Sequence, residues 1–307
     1  MRELTYIVPP TADGRTLGSL LAREMKLSHH RISSLKFSGG ILLDGRNAHT
    51  GVRVHAGQLI TVVLTDAGPA LTPLELPLTV PYRDNDLLIV DKPAPLPAIQ
   101  SAHQSSQTLE NALFAWLGCP EGFIYRPVSR LDKGTSGLMP VALNAHMHDR
   151  MQRLLHTADY VREYLAVTEG APAADAGVCD GPIAHADGVR RCVDPSGKPA
   201  VTHYTVLRRT ENGRALLRLR LETGRTHQIR VHMAHMGCPV AGDYLYGAPL
   251  PQLPGRFALH SALLSFTHPL TGRLITLESP LPAALAQLLE KPDSADIFIR
   301  DREENAR

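Results

Sequence analysis

Four cysteines in 307 residues, Cys119, Cys179, Cys192 and Cys238, form no Cys-x-x-Cys pair. That spacing offers neither a zinc knuckle nor a disulfide framework, and idle thiols in a reducing cytoplasm are the expectation. No run reaches the roughly 18 apolar residues of a membrane span, and Met1-Arg2-Glu3-Leu4-Thr5 has none of the features of a secretory leader. A cytoplasmic chain without membrane contact is expected. Aromatic residues make up 5% of the chain, with a single Trp, so few side chains can serve as stacking platforms. An excess of charge is missing too. A net +2 is weak support for a polyanionic partner.

The charges are unevenly placed, however. Residues 1–65 hold eight Lys/Arg against four Asp/Glu, a surplus of four cations, and the whole-chain +2 then leaves −2 for the rest. A basic front piece on a near-neutral body suggests a phosphate-gripping module joined to something else. Leu17, Leu20, Leu21 and Met25 make a helical stripe, and Ser28 can cap a second helix carrying Ile32 and Leu35. Gly39-Gly40 ends that helix. Ile41-Leu42-Leu43 before Asp44-Gly45 reads as strand and hairpin turn, and Leu59 to Leu64 as a closing strand.

This pattern divides the chain into a small α/β module at 1–66, a linker at 67–80, a large domain at 81–290 and a charged tail at 291–307. The linker follows from Pro69, Pro73 and Pro77, which fix φ and remove backbone donors. The tail has little to bury. In the large domain, Leu87 to Val90, Leu138 to Leu143, Val161 to Val167, Val201 to Leu207 and Ala215 to Leu221 read as strands. Met147, Met151, Leu154 and Leu155 make a helical stripe. Strands outnumber helices without regular alternation, so the fold class is α+β: a mixed, largely antiparallel sheet flanked by helices.

Two segments carry chemistry. Arg130-Leu131-Asp132-Lys133-Gly134-Thr135-Ser136-Gly137 puts one carboxylate between two cations at the lip of a turn that runs into an apolar strand. Such a carboxylate stays ionised, which suits a nucleophile or a charge stabiliser. Asp-Lys-Gly is equally ordinary turn chemistry, and the segment alone leaves both readings open. The second is Leu221-Glu222-Thr223-Gly224-Arg225-Thr226-His227-Gln228-Ile229-Arg230-Val231-His232, where Thr226 is a plausible cap for a helix with Ile229, Met233 and Met236 on one stripe. His227, His232, His235 and His260 are metal-ligand types, but His232-Met-Ala-His235 has no zincin spacing and no thiol pair nearby, so no metal is expected. Gly134-Thr-Ser136-Gly137 is no nucleophile elbow, since Leu138 holds the last position.

Together these segments resemble the RluA-type family of RNA pseudouridine synthases, matching its Arg-Leu-Asp…Thr-Ser-Gly and Thr-Gly-Arg-Thr-His-Gln-Ile-Arg-Val-His signatures. Gly237-Cys238-Pro239, Gly242-Asp243-Tyr244-Leu245-Tyr246-Gly247, Arg162-Glu163-Tyr164, Lys92-Pro93-Ala94, Gly197-Lys198-Pro199-Ala200 and Leu259-His260-Ser261 follow in register, so the likeness runs from about Pro81 to Pro282. The front module resembles an α-L, S-four-type RNA-binding domain over roughly Gly14 to Leu64, with Gly57-Gln58 where that family usually has Gly-Asp.

The resemblance implies an isomerase that converts uridine in structured RNA, most readily large-subunit ribosomal RNA or tRNA, to pseudouridine. It implies Asp132 as the catalytic carboxylate, Arg230 as its ion-pair partner, and Tyr164 as base-stacker and proton acceptor. Arg130 would fill the gap left by a flipped uridine, with Lys133, Arg225 and His227 near phosphate and Arg31 and Lys36 on the front module. The reaction needs no cofactor, and a monomer is expected. With few aromatics beyond Tyr164, target choice by shape is expected. Three departures stand out: Ser129 where the family usually has His, Arg162 for Lys, and Pro95 for Gly. The alternative is an RNA-binding protein without activity, acting in ribosome assembly.

Overall fold

The computed structural model describes residues 2–25, 27, 32–33, 35–36, 39–64, 71–101, 106–155 and 157–290. Arg31, Ser28 and the tail at 291–307 lie outside them. The chain divides into two compact units: Met1–Ala70 with Glu121–Ile124, and Leu71–Pro120 with Tyr125–Arg307.

In the first unit, β1 (Arg2–Ile7), β2 (Ile41–Leu43), β3 (Arg46–Asn47) and β4 (Leu59–Leu64) form a sheet in the order β1-β4-β2-β3. Every pairing is antiparallel. Leu17, Leu20 and Leu21 recur at the helical spacing, and α1 (Leu17–Arg23) buries all three against Ile41, Val54, Ile60 and Val62. Leu35, in a helical stretch, joins that core, and Ile32 packs beside it. Asp44 and Gly45 both take positive φ, 49° and 77°, as a tight hairpin turn requires. The Asp44 carboxylate accepts from the Leu59 amide and the Gln58 side chain, both at 2.8 Å. Gln58 thus closes the turn. Strand β1 was not foreseen from the sequence.

The second unit opens on β5 (Thr79–Arg83), β6 (Leu87–Lys92), α2 (Leu109–Trp116), β7 (Ser136–Ala142) and α3 (Ala145–Leu154). It continues with β8 (Val161–Glu169), β9 (Ala176–Cys179), the hairpin β10 (Ile183–His185) and β11 (Arg191–Val193), β12 (Thr202–Arg209) and β13 (Arg214–Leu221). Then come α4 (Gln228–His235), β14 (Leu259–Thr267), β15 (Leu274–Glu278) and α5 (Ala283–Ala286). One large sheet runs β5-β6-β7-β14-β8-β13-β12-β9, with β15 beside β14. Its pairings are antiparallel except β7 with β14, the mixed, largely antiparallel α+β arrangement expected.

The sheet is covered on both faces, and β6 shows why its residues read as a continuous apolar run. Leu88 and Val90 face a core shared with Leu109, Leu113, Ile229 and Met233. Leu87 and Ile89 face the opposite core, with Met147, Met151 and Phe266. A strand buried on both faces has no polar side to alternate with. Of the proline-rich stretch, residues 71–78 form no helix or strand. They are docked, however: Leu74, Leu76 and Leu78 pack on the core of this unit, and Asn111 Nδ2 donates to the Thr72 carbonyl at 2.8 Å. Leucines at every second position give an extended segment one apolar edge. Among the described residues, no helix is long and apolar enough to cross a membrane.

Candidate active site

Helix α4 begins differently from the sequence expectation. Its N-cap is His227, in the left-handed region at φ 59°, and no side chain caps it. Thr226 lies one residue earlier and does not cap. The work falls to Gln228, whose Oε1 accepts from the Arg225 amide and the Thr223 hydroxyl, both at 2.9 Å. Its Nε2 donates to the Val201 carbonyl and the Thr202 hydroxyl, both at 3.0 Å. One buried amide therefore ties the loop 223–227 to the start of β12, and aims the first turn of α4 into the unit.

That first turn carries Arg230, whose side chain is only 2% exposed. It makes a bidentate pair with Asp243, Nε to Oδ2 at 2.6 Å and Nη2 to Oδ1 at 2.9 Å. Its remaining nitrogen, Nη1, donates to Asp132 Oδ2 at 3.0 Å. The guanidinium lies over the Phe257 ring, 4.1 Å from its centroid, and near that of Tyr246 at 5.0 Å. Burial opposes the charge, but the hydrogen bonds and charges of Asp243 and Asp132 outweigh it and raise the Arg230 pKa. Asp243, fully buried, also accepts from the amides of Leu245 and Tyr246 through Oδ1. It is the principal residue that the sequence did not single out.

Asp132 keeps 30% of its side chain exposed and opens on a cleft of about 450 Å³. Ser129, Arg130, Lys133, Arg162, Tyr164, Arg225 and His227 line the same cleft. The structure thus brings together every expected site residue of this unit. Arg130, Lys133 and Arg225 are exposed at its rim. His227, expected at a phosphate, is only 14% exposed and places Nε2 3.9 Å from Asp132 Oδ2. Tyr164 is buried on β8, and burial raises its phenol pKa, with Asp132 adding to the shift and Arg162 opposing it. Lys36 is exposed on the first unit, beside a hollow of about 350 Å³ that Asn47 and His49 also line. Among the described residues, no group of three or more His, Cys, Asp or Glu is placed to hold a metal. His232 is occupied by the Thr202 hydroxyl and the Gly181 carbonyl, both at 2.9 Å.

Lys92 is a second residue that the sequence understated. It is fully buried, and its Nζ donates to the carbonyls of Pro93 at 3.0 Å and Leu96 at 2.7 Å. The Leu96 amide in turn donates to the Lys133 carbonyl at 2.9 Å, so Lys92 braces the loop beside Asp132. Burial pushes the ammonium down to about 7, against the pull of Asp132 and with a push from Arg256. Unfolded lysine titrates near ~10.4. Between about pH 7 and pH 10 the unfolded chain therefore holds the extra proton, and this residue's contribution to stability rises with pH. The stability difference between wild type and Lys92→Met, from urea unfolding, is expected to grow across that window by up to about 1.4 kcal/mol per pH unit. A difference that does not vary with pH would mean that Lys92 keeps its proton in the fold.

A buried cation shared by two carboxylates, one of them open to a cleft with a tyrosine wall and a basic rim, is a site for chemistry on a polyanion. Comparison with known proteins names the chemistry. The family model described as RNA pseudouridylate synthase matches residues 86–235. The ribosomal large subunit pseudouridine synthase D of Xanthomonas campestris is 37% identical over 312 residues, covering 94% of this chain and 93% of that protein. The uncharacterized RNA pseudouridine synthase YlyB of Bacillus subtilis is 36% identical, covering 88% of this chain and 91% of that protein. In fold, the chain is similar to human RNA pseudouridylate synthase domain containing 1, with a TM-score of 0.58 at 24% identity over 73% of this chain and 94% of that one. The chain belongs to the RluA-type family of RNA pseudouridine synthases, and is an isomerase.

Proposed function

We propose that this enzyme converts uridine in large-subunit ribosomal RNA to pseudouridine, acting in the cytoplasm as a monomer without metal or cofactor. The observation that carries the reading is the placement of Asp132: a carboxylate held through one oxygen by a buried arginine at 3.0 Å, on the lining of a cleft large enough for a nucleotide. Breaking the bond from ribose to uracil nitrogen and joining ribose to ring carbon 5 requires a fixed anion at the sugar. It also requires a pocket that keeps the freed base in place. Asp132 supplies the first. Tyr164, on the cleft wall, supplies a face for the base, an interaction worth ~1–3 kcal/mol. Its raised phenol pKa leaves Tyr164 protonated at neutral pH, so stacking is its principal part. Accepting the carbon-5 proton would first require loss of the phenol proton, which the charge of Arg162 favours.

The rim fits a flipped nucleotide. Extrusion costs a few kcal/mol in a duplex and less in a loop, and Arg130 beside Asp132 offers a cation to fill the gap. Lys133 and Arg225 are exposed where phosphates would pass. The first unit, with its surplus of cations and with Lys36 beside a hollow that Asn47 and His49 also line, serves as an RNA grip. Arg31 is assigned to the same grip on sequence alone. Relatives named for the large ribosomal subunit favour ribosomal RNA over tRNA.

The test is pseudouridine mapping of total RNA from cells lacking the gene, complemented with wild type or with Asp132→Asn. Restoration of one or a few large-subunit sites by wild type alone is expected. If both proteins rescue growth and no site responds, the chain acts as an RNA-binding assembly factor instead.

A further inference from the structure

We propose that Tyr246 holds His227 as the tautomer with its proton on Nε2, making His227 a positioning residue that donates toward Asp132. This rests on the reading of Asp132 as the reacting carboxylate. The chain of contacts starts in the β10–β11 hairpin, at Arg191. Its backbone amide can only donate, and it donates to the Tyr246 phenol oxygen at 2.9 Å. The same phenol lies 2.8 Å from His227 Nδ1, and among the described residues these are its two hydrogen-bond partners. With the oxygen already accepting from Arg191, the phenol proton is directed at Nδ1. An imidazole that accepts at Nδ1 carries its own proton on Nε2. That nitrogen faces Asp132 Oδ2 at 3.9 Å, and a shift of under 1 Å brings it into hydrogen-bond range.

The opposite tautomer would turn a lone pair on the carboxylate and leave the phenol proton without a protein acceptor among the described residues. The backbone supports the assignment as well. His227 is held at φ 59° as the N-cap of α4, and its ring meets that of Tyr246 edge to face, centroids 5.7 Å apart at 74°. The groups that face it are Asp132, Asp243, Arg230 and Arg191, with Tyr246 behind it. Burial is the largest influence on its pKa and lowers it, Arg230 and Arg191 adding to the effect and Asp132 opposing it, so the ring is neutral at neutral pH.

The consequence for the site is directional. Arg230 and His227 both approach Oδ2 of Asp132, which leaves Oδ1 as the oxygen turned to the nucleotide. The loop Gly242 to Gly247 supplies both supports: Asp243 orients Arg230, and Tyr246 orients His227. The two contacts on one carboxylate oxygen thus have their supports in a single loop.

The experiment reads the tautomer directly. Imidazole nitrogen–proton correlation spectra of the free wild-type protein, with His227 assigned by its loss in His227→Asn, are expected to show a protonated Nε2 and an unprotonated Nδ1. In Tyr246→Phe the two forms should mix. Single-turnover rates on unmodified large-subunit ribosomal RNA should fall about tenfold in Tyr246→Phe and in His227→Asn, with half-saturation unchanged. His227→Gln, whose amide reaches the place of Nε2, should stay within about threefold of wild type. A wild-type proton on Nδ1, or Tyr246→Phe turning over at the wild-type rate, would overturn the proposal. If wild type itself does not modify this RNA, the proposed substrate fails, and the spectra still decide the tautomer.

Discussion

Arg230→Met is expected to lose at least about 100-fold in turnover and about 3–5 kcal/mol of stability. Asp243→Asn made in addition should restore most of the stability and none of the turnover. The asymmetry follows from burial. Arg230 is 2% exposed and Asp243 not at all, so removing the arginine leaves a carboxylate that neither water nor a second cation can reach. Such an uncompensated charge costs far more than the pair was worth. Asparagine at 243 removes the charge and keeps an oxygen for the amides of Leu245 and Tyr246, which now depend on Asp243 Oδ1. Asp132, 30% exposed, can turn to solvent when its arginine is gone, which costs little stability but destroys its position. Urea unfolding of the two single variants and the double, beside single-turnover rates, separates the two effects. An Arg230→Met protein as stable as wild type would show that Asp243 takes up a proton or finds water without penalty. Turnover recovered in the double variant would show that Arg230 does not act on Asp132 at all.

The parts of this site that could be read from sequence were those whose residue type and spacing are themselves the chemistry. Asp132 stood between two cations, whereas Arg230, at the edge of the stripe of Ile229, Met233 and Met236, reads locally as a surface cation and gained its role through the resemblance. Tyr164 came only through resemblance, since a tyrosine at an alternating strand position reads as core, and by burial it is core. Asp243 appeared only as one letter of a matching string. Its partner lies thirteen residues back on α4, and no local period connects a loop carboxylate to a helix arginine across that turn. Lys92 was opaque for a different reason. A lysine closing an apolar strand reads as the first solvated residue, whereas here the chain bends so that Pro93 and Leu96 present their carbonyls to its ammonium. Sequence does not reveal the left-handed N-cap at His227, or that its ring turns inward to Tyr246. The fold was legible in the same uneven way. Strands β6, β7, β8, β12 and β13 show in their apolar runs, but β14 and β15 did not, and their places in the sheet depend on pairings far apart in the chain.

Gly137→Ala is expected to be the most damaging single methyl group in the second unit, and the reason revises the local reading of its motif. The sequence places Gly137 at the end of a turn, where glycine supplies a positive φ. In the fold Gly137 already lies within β7, at φ +110°, and pairs with Ser261 at the sheet's parallel step. A Cβ there would stand 2.2 Å from the Ser261 carbonyl oxygen and 2.6 Å from its nitrogen. Both are backbone atoms, so relief requires β7 and β14 to separate. That separation would also strain the bonds on either side, from Ser136 Oγ to His260 Nδ1 at 2.9 Å and from Ser261 Oγ to the Leu138 carbonyl at 3.0 Å. The expected loss exceeds about 4 kcal/mol, in the range reached by conflicts that the structure cannot relax. Gly213→Ala is the matched control: its φ is +83° and nothing lies within 4 Å of the added carbon, so only the conformational cost of about 1 kcal/mol should appear. Urea midpoints of the two variants, or soluble yield where Gly137→Ala does not fold, decide between the explanations. Equal losses would return Gly137 to ordinary turn chemistry. A large gap would mean that the last glycine of the motif exists to let two strands meet five residues beyond Asp132, and so fixes where the carboxylate's own loop ends.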